Sequence, residues 1–262
     1  MRWTVLWSRC LKSKSRMAPR QAKRAWARRA RGAGLALCLG LATPVAAEVI
    51  VAAEYRGETD RYGHGILGDA IEFGELVIKT EDWSNTVRYR VTLPRDHVFE
   101  DIAPRLWDIT GDGDPEVVVI ETDLRLGGSL AVYDQTGKIA ETPHIGRTNR
   151  WLAPVGAADF DGVGRIEVAF VDRPHLAKVL RVFEWNGTAL VLDTEIGGLT
   201  NHRIGEDFIS GGVRGCGSGP EMVTADANWA QVMVTSFGEG WTSRAVAPFS
   251  QNAMARALDC AG

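Results

Sequence analysis

The sequence predicts an all-β fold, specifically a β-propeller of about four blades, each a four-stranded antiparallel sheet. One segment recurs along the chain at intervals of roughly fifty residues, and each copy contains several short β-prone runs. Helical periodicity is almost absent from the mature chain, whose longest helical candidate is residues 251–259. Four short strands in a repeat of this length are typical of a propeller blade, and a β-sandwich of unequal hairpins is the alternative.

The first 47 residues are predicted to be a signal peptide, which leaves a mature propeller domain over residues 48–262. They contain 11 Lys and Arg but no Asp or Glu, followed by the apolar run AGLALCLGLA and small residues before Glu48. That run is too short to remain as a membrane anchor. We therefore expect export to the periplasm or the extracellular medium with no membrane span after cleavage. The pair Arg28-Arg29 leaves the twin-arginine route open beside the general secretory route.

The predicted mature domain is strongly acidic. Of the 30 Lys and Arg in the chain, 19 remain after residue 47, against 33 Asp and Glu, so the formal net charge is −14. Such a charge repels phosphate backbones and anionic lipid headgroups. Nucleic acid is therefore not expected as a partner, whereas divalent cations are favoured as ligands.

Two cysteines, Cys216 and Cys260, remain in the predicted mature domain. An even pair in an oxidising compartment is expected to form a disulfide, here between the last repeat and the C-terminal tail. Two free buried thiols are the alternative.

Three glutamates, Glu116, Glu167 and Glu221, anchor the repeat and lie 51 and 54 residues apart. Each opens a β-prone run, two further apolar runs follow it, and one strand candidate precedes it. This gives four strands in each unit. A diverged first unit is expected around residues 64–93, and the run 48–55 is a candidate closure strand that would complete the last blade.

The best-preserved unit contains an acidic loop, DITGDGDPE, at residues 108–116. Calcium takes about six to eight oxygen ligands, and the alternation of oxygen-bearing side chains directs several of them inward. Gly113 permits the sharp turn that such a loop needs. We expect a structural Ca²⁺ here, with a solvated acidic turn as the alternative. The expected ligands are the side chains of Asp108, Thr110, Asp112 and Glu116 and the carbonyl of Asp114.

The D-x-T-x-D-G-x-x-E stretch followed by an apolar strand resembles the FG-GAP repeat, also called the VCBS repeat, of integrin-like β-propellers. The resemblance extends over roughly residues 61–248 and is specific only at the first acidic loop. It implies a calcium loop between the first two strands of a blade. In the next unit the ligand positions fall on Asp159, Asp161 and Glu167, but Val163 occupies the fifth position, so this second site is expected to be weak or empty. In the last unit only Glu221 remains, and no metal is expected there.

Polar or cationic residues recur in the segments that lead into the first strand of each unit. In a propeller these segments would gather at one mouth of the central channel, where ligands commonly bind. Arg, His and Asn against an acidic background favour a small anion or a hydroxyl-rich sugar, and the alternative is that they only tie one blade to the next. The candidates are Arg61, His64, His97, Asn149, Arg150, Asn201, His202 and Arg203.

No catalytic residue is predicted, because the sequence contains no serine elbow, zinc-protease helix or phosphate-binding loop. The charged clusters at residues 172–175 and 202–207 are interpreted as structural. We expect a non-catalytic exported binding module that recognises a protein or carbohydrate partner. Two alternatives remain, namely a glycan-acting lyase or hydrolase with its site at the mouth, and a structural subunit of a larger assembly.

Overall fold

The computed structural model describes residues 48–261, so the predicted signal peptide at residues 1–47 lies outside the described residues. The described residues contain seventeen strands and one helix, α1 (Gln251–Leu258). Within them, no helix has the length and apolar character needed to cross a membrane. The all-β prediction is confirmed, and α1 confirms the predicted helical tail.

The strands fall into four successive groups that correspond to the predicted units. The first group contains β1 (Val49–Thr59), β2 (Glu72–Glu81) and β3 (Thr86–Thr92). The second contains β4 (His97–Phe99), β5 (Arg105–Trp107), β6 (Glu116–Asp123), β7 (Gly127–Asp134) and β8 (Gly137–Glu141). The third contains β9 (Leu152–Ala158), β10 (Glu167–Asp172), β11 (Val179–Trp185) and β12 (Leu190–Gly197). The fourth contains β13 (Leu199–Thr200), β14 (Gly212–Gly215), β15 (Pro220–Asp226), β16 (Gln231–Phe237) and β17 (Trp241–Pro248).

Hydrogen bonds join these groups into three antiparallel sheets. The first two groups share an eight-stranded sheet, because the short strand β4 pairs with both β2 and β6. The third group is a four-stranded sheet in the order β12-β11-β10-β9, as predicted for a blade, and the fourth is a five-stranded sheet.

The prediction that residues 48–55 complete the last unit as a closure strand is wrong. These residues begin β1, which pairs with β2 from Val49↔Glu81 to Thr59↔Glu72. The long ladder with a strand close by in the chain satisfies the backbone groups of β1 within the first group.

The groups pack face to face in chain order because their central strands are apolar on both sides. In β6, Val117 and Val119 face a core shared with β1 and β2, whereas Val118 and Ile120 face a core shared with the third group. Residues of β10 divide in the same way between the second and the fourth groups, and α1 covers the far side of the fourth. Successive antiparallel units stacked through such two-sided strands give a propeller-like all-β fold.

Two local features hold the last two groups together. The first strand of the third group, β9, lies against β14, and Gly156 allows this approach because an added Cβ would lie 2.3 Å from Cγ2 of Val213. The predicted disulfide between Cys216 and Cys260 is present, with 5.6 Å between the Cα atoms, and it ties the turn after β14 to the residues after α1.

Candidate functional site

The first acidic loop connects β5 to β6, and its carboxylates accept hydrogen bonds from the loop itself. Asp108 accepts backbone N–H groups from Gly111 at 2.7 Å and Gly113 at 2.9 Å. Glu116 accepts the backbone N–H of Ile109 at 2.7 Å through Oε2 and the hydroxyl of Thr110 at 3.2 Å through Oε1. Burial raises the pKa of Glu116, and these hydrogen bonds oppose that shift. The loop is thus pre-folded around its two end carboxylates.

The second acidic loop connects β9 to β10 and repeats this geometry 51 residues later. Gly164 donates its N–H to Asp159 Oδ2 at 3.1 Å, as Gly113 does to Asp108. Phe160 donates its N–H to Glu167 Oε2 at 2.7 Å. The internal repeat is therefore preserved in hydrogen bonding as well as in sequence.

The two loops differ at their third position, where Thr110 is replaced by Asp161. Asp161 has no hydroxyl proton to donate, so Glu167 Oε1 is buried without a hydrogen-bond partner among the described residues, and so is Asp159 Oδ1. Ligand atoms of Asp159, Asp161 and Glu167 all lie within 4.8 Å of one another. Burial, followed by repulsion from Asp161 and Asp159, raises the pKa of Glu167 to about 7.

This arrangement of donors fits a hard cation. All three groups are carboxylates, and two of their oxygens are buried and unpartnered, which is costly unless a positive charge or a donor compensates. The sequence ranked the first loop above the second because of Val163. Of the two acidic loops, only the second has buried oxygens without a hydrogen-bond partner among the described residues, and the hydroxyl lost at its third position accounts for the one on Glu167.

In the fourth group, arginine side chains lie beside the glutamate that corresponds to Glu116 and Glu167. Glu221 accepts hydrogen bonds at 2.7 and 2.8 Å from the guanidinium of Arg214, on the neighbouring strand β14. Arg244 lies 3.4 Å from the other carboxylate oxygen of Glu221. A side-chain positive charge thus neutralises the one acid that remains there.

At the predicted mouth, three of the eight candidates line a common pocket of about 180 Å³. These are His64, Asn149 and Arg150, which share the pocket with the largely buried Trp151. His64 bonds through Nδ1 to Glu100, a fully buried carboxylate that also accepts the hydroxyl of Thr122 at 2.8 Å. Burial raises the pKa of Glu100, and the contact with His64 opposes that shift.

The other mouth candidates bind parts of the fold. Arg61 donates through Nε to the carbonyl of His97 at 3.0 Å, and Asn201 is buried with its amide near the carbonyls of residues 153 and 154. Arg203 stacks over the ring of Trp229 at 4.0 Å. His97 itself lies on β4 beside carboxylates of β6, outside the mouth pocket.

His202 is buried below the mouth pocket and orients a residue that lines it. Its Nε2–H donates to the carbonyl of Glu206 at 2.8 Å, which leaves Nδ1 to accept Nε2–H of His175 at 3.0 Å. Burial, followed by repulsion from His202, lowers the pKa of His175 to about 4. A neutral imidazole is thus fixed at the pocket wall.

Sequence reasoning missed three residues of this region, namely Glu100, Arg173 and His175. Glu100 lies between Phe99 and Asp101, and its contact with His64 joins residues 36 positions apart. Arg173 and His175 belong to the cluster at residues 172–175, which was interpreted as structural. The position of this cluster in the turn after β10 could have identified Arg173 and His175 as pocket residues, because that turn lies at the same end of the fold as the mouth segments.

The loops and strands that repeat in the structure also match a known family. Residues 108–170, which extend from the first acidic loop to β10, match the FG-GAP-like repeat. No curated protein and no solved structure matches the chain. The matched segment contains both acidic loops and the sheet strands that support them. The segment at residues 108–170 is therefore an FG-GAP-like repeat within the chain.

Proposed function

We propose that the chain is an exported, non-catalytic binding module whose acidic loops hold structural Ca²⁺ and whose mouth pocket takes a carbohydrate. The FG-GAP repeat supports a binding module. The single observation that carries the calcium part is the pair of unpartnered buried oxygens, Asp159 Oδ1 and Glu167 Oε1. The disulfide supports export, because such bonds persist in oxidising compartments.

Calcium suits these loops better than a softer metal does. Every side-chain donor is an oxygen, and oxygen-only sites with several carboxylates favour Ca²⁺, whereas zinc prefers imidazole or thiolate ligands. Asp159, Asp161 and Glu167 would hold the ion in the second loop. In the first loop Asp108, Thr110, Asp112, Asp114 and Glu116 would form a second site once their internal hydrogen bonds rearrange. Each ion would replace repulsion between carboxylates with ion contacts.

Thermal unfolding of the mature protein in Ca²⁺ and in chelator tests this proposal. A ligand at about 100 times its Kd stabilises a protein by about 2.7 kcal/mol. For a domain of this size each kcal/mol raises Tm by about 2–4 °C. Asp159→Asn should remove most of the calcium response. The matched control is Asp82→Asn in the β2–β3 turn, whose Oδ1 accepts hydrogen bonds only from Ser84 and Asn85 of the same turn, and it should keep the response. Equal Tm values in Ca²⁺ and in chelator would contradict the proposal.

The mouth pocket is the proposed ligand site because it combines polar side chains with an apolar wall. Its volume of about 180 Å³ is smaller than the roughly 300–1,000 Å³ of pockets for drug-sized ligands, so one sugar unit is the appropriate size. The guanidinium of Arg150 offers a donor to a carboxylate, and the neutral imidazole of His175 offers an acceptor to a hydroxyl group. An acidic sugar would satisfy both.

Binding of acidic and neutral glycans to an array tests the ligand class. Arg150→Gln should reduce retention of acidic glycans about tenfold or more, because it removes a charge-assisted hydrogen bond. Arg88→Gln, at an exposed position of β3 outside the mouth pocket, is the matched control and should bind as the wild type does. Binding of no glycan, with capture of a protein partner that Arg150→Gln leaves unchanged, would contradict the carbohydrate proposal.

A glycan-acting hydrolase or lyase is a second candidate, favoured by the pairing of His64 with the buried Glu100 at the mouth pocket. A carboxylate that orients an imidazole is a common general-base arrangement. Incubation with the glycans that bind separates the two functions. A binding module leaves them intact, whereas an enzyme releases products and loses that activity in His64→Gln.

A further inference from the structure

We propose that His97, Glu121 and Asp123 form a binding site for a divalent transition metal such as Zn²⁺, separate from the acidic loops and independent of the proposed function. The register of β4 against β6 places these residues together. His97 is the direct cross-strand partner of Asp123, and Glu121, two residues earlier on β6, projects from the same face. One imidazole therefore faces two carboxylates.

The central observation is the direction in which the donor atoms point. His97 Nε2 lies 3.9 Å from Glu121 Oε1 and 3.8 Å from Asp123 Oδ2, too far for hydrogen bonds. Glu121 and Asp123 are only 3% and 5% exposed. Neither of these two oxygens accepts a hydrogen bond from any residue within 48–261, because the hydrogen bonds of both carboxylates are made through their other oxygens. One carboxylate oxygen of each of these two largely buried residues thus faces the same ring nitrogen.

The remaining contacts prepare that nitrogen to act as a ligand. His97 Nδ1 lies 3.0 Å from Asp96 Oδ1, so an Nδ1–H donor there leaves a lone pair on Nε2. A carboxylate behind a histidine in this way orients the ring and increases its basicity in metal sites. Ligand atoms of Asp96, His97 and Asp123 all lie within 4.8 Å of one another. Lys138 Nζ, 3.0 Å from Glu121 Oε2, offsets the charge of one of the two carboxylates, and an ion between His97 and Asp123 would offset the charge of the other.

A second histidine, His144, is a candidate for a further metal ligand. His144 Nδ1 lies 2.7 Å from the carbonyl of Gly127, an arrangement that again leaves Nε2 free. Its ring centroid is 5.9 Å from that of His97. His144 would join an ion held by His97 only after its side chain turns, because each nitrogen must come within about 2.0–2.1 Å of zinc. The mixture of imidazole and carboxylate selects zinc or a similar transition metal over calcium.

Zinc titration of the tag-free mature protein, stripped of metals and kept in excess Ca²⁺, tests the proposal while the acidic loops are supplied with calcium. We expect one zinc ion per chain by calorimetry, and Co²⁺ in its place should give the visible absorption of a low-symmetry site. His97→Gln should abolish both signals. Asp96→Asn should weaken zinc binding about 10–100-fold, because it removes the carboxylate that orients the ligand.

Two further variants test whether zinc binds at His97 and not in the acidic loops. Asp159→Asn in the second acidic loop should bind zinc as the wild type does. Asp123→Asn, which keeps the hydrogen-bonding oxygen and removes the charge, should also lose zinc, and circular dichroism would verify the fold of each variant. No zinc binding by the wild type, or unchanged binding by folded His97→Gln, would overturn the proposal. In that case His97 has only a structural role through its contact with Asp96.

Discussion

Replacing Asp161 with threonine should stabilise the protein when calcium is absent. In the first loop, Thr110 holds the equivalent position and donates its hydroxyl to Glu116 Oε1 at 3.2 Å. In the second loop, Glu167 Oε1 is buried and has no partner among the described residues. An unsatisfied buried oxygen costs about 1–3 kcal/mol. We therefore expect Asp161→Thr to raise the free energy of unfolding in chelator by about that amount.

Urea denaturation of wild type and Asp161→Thr, in chelator and in Ca²⁺, measures this effect. The gain should shrink or reverse in Ca²⁺, because the substitution removes one charged ligand from the proposed ion. Thr110→Ala is the converse test, and it should destabilise the protein in chelator by about 0.5–1.5 kcal/mol. If Asp161→Thr has no effect or destabilises the protein in chelator, the unpartnered oxygen does not govern the energetics of the loop.

Three further predictions concern stability away from the loops. Glu72 is buried, and burial, reinforced by repulsion from nearby carboxylates, raises its pKa to about 9. The protonated carboxyl therefore stabilises the fold at low pH, and this contribution is lost as the pH rises from about 4.5 to 9. Glu72→Gln should thus gain about 2–3 kcal/mol over wild type near pH 7 and little near pH 4, measured by urea denaturation across pH. Gly156→Ala should cost about 1–3 kcal/mol through its clash with β14, whereas Gly197→Ala, with no atom within 4 Å of the added Cβ, should be close to neutral in a thermal melt. Reduction of the Cys216–Cys260 disulfide, which spans 44 residues, should cost about 2–4 kcal/mol, and an unchanged Tm in reductant would contradict its stabilising role.

Much of the fold follows from patterns that are local in the chain. The spacing of Glu116, Glu167 and Glu221 identified the three best copies, because each glutamate occupies the same place at the start of a buried central strand. The helical tail and the disulfide were also predicted. Pairing of β1 with β2 was not, because a half-buried strand carries no signal for which sheet edge it will join.

The candidate sites depend on pairings that composition alone does not reveal. The two acidic loops differ because the hydroxyl of Thr110 satisfies a buried oxygen that Asp161 cannot satisfy. His97 faces Asp123 only through the β4–β6 register, which joins residues 26 positions apart in the chain. The sequence therefore identified the chemical groups, whereas their grouping required the strand register.

The electron density of crystals grown in Ca²⁺ would show directly whether the second acidic loop holds a calcium ion. We expect a calcium ion in the second loop, with about 2.3–2.6 Å between the ion and the carboxylate oxygens of Asp159, Asp161 and Glu167. A second ion is expected in the first loop. A water molecule or no density between those three carboxylates, at calcium concentrations that saturate other calcium loops, would contradict it.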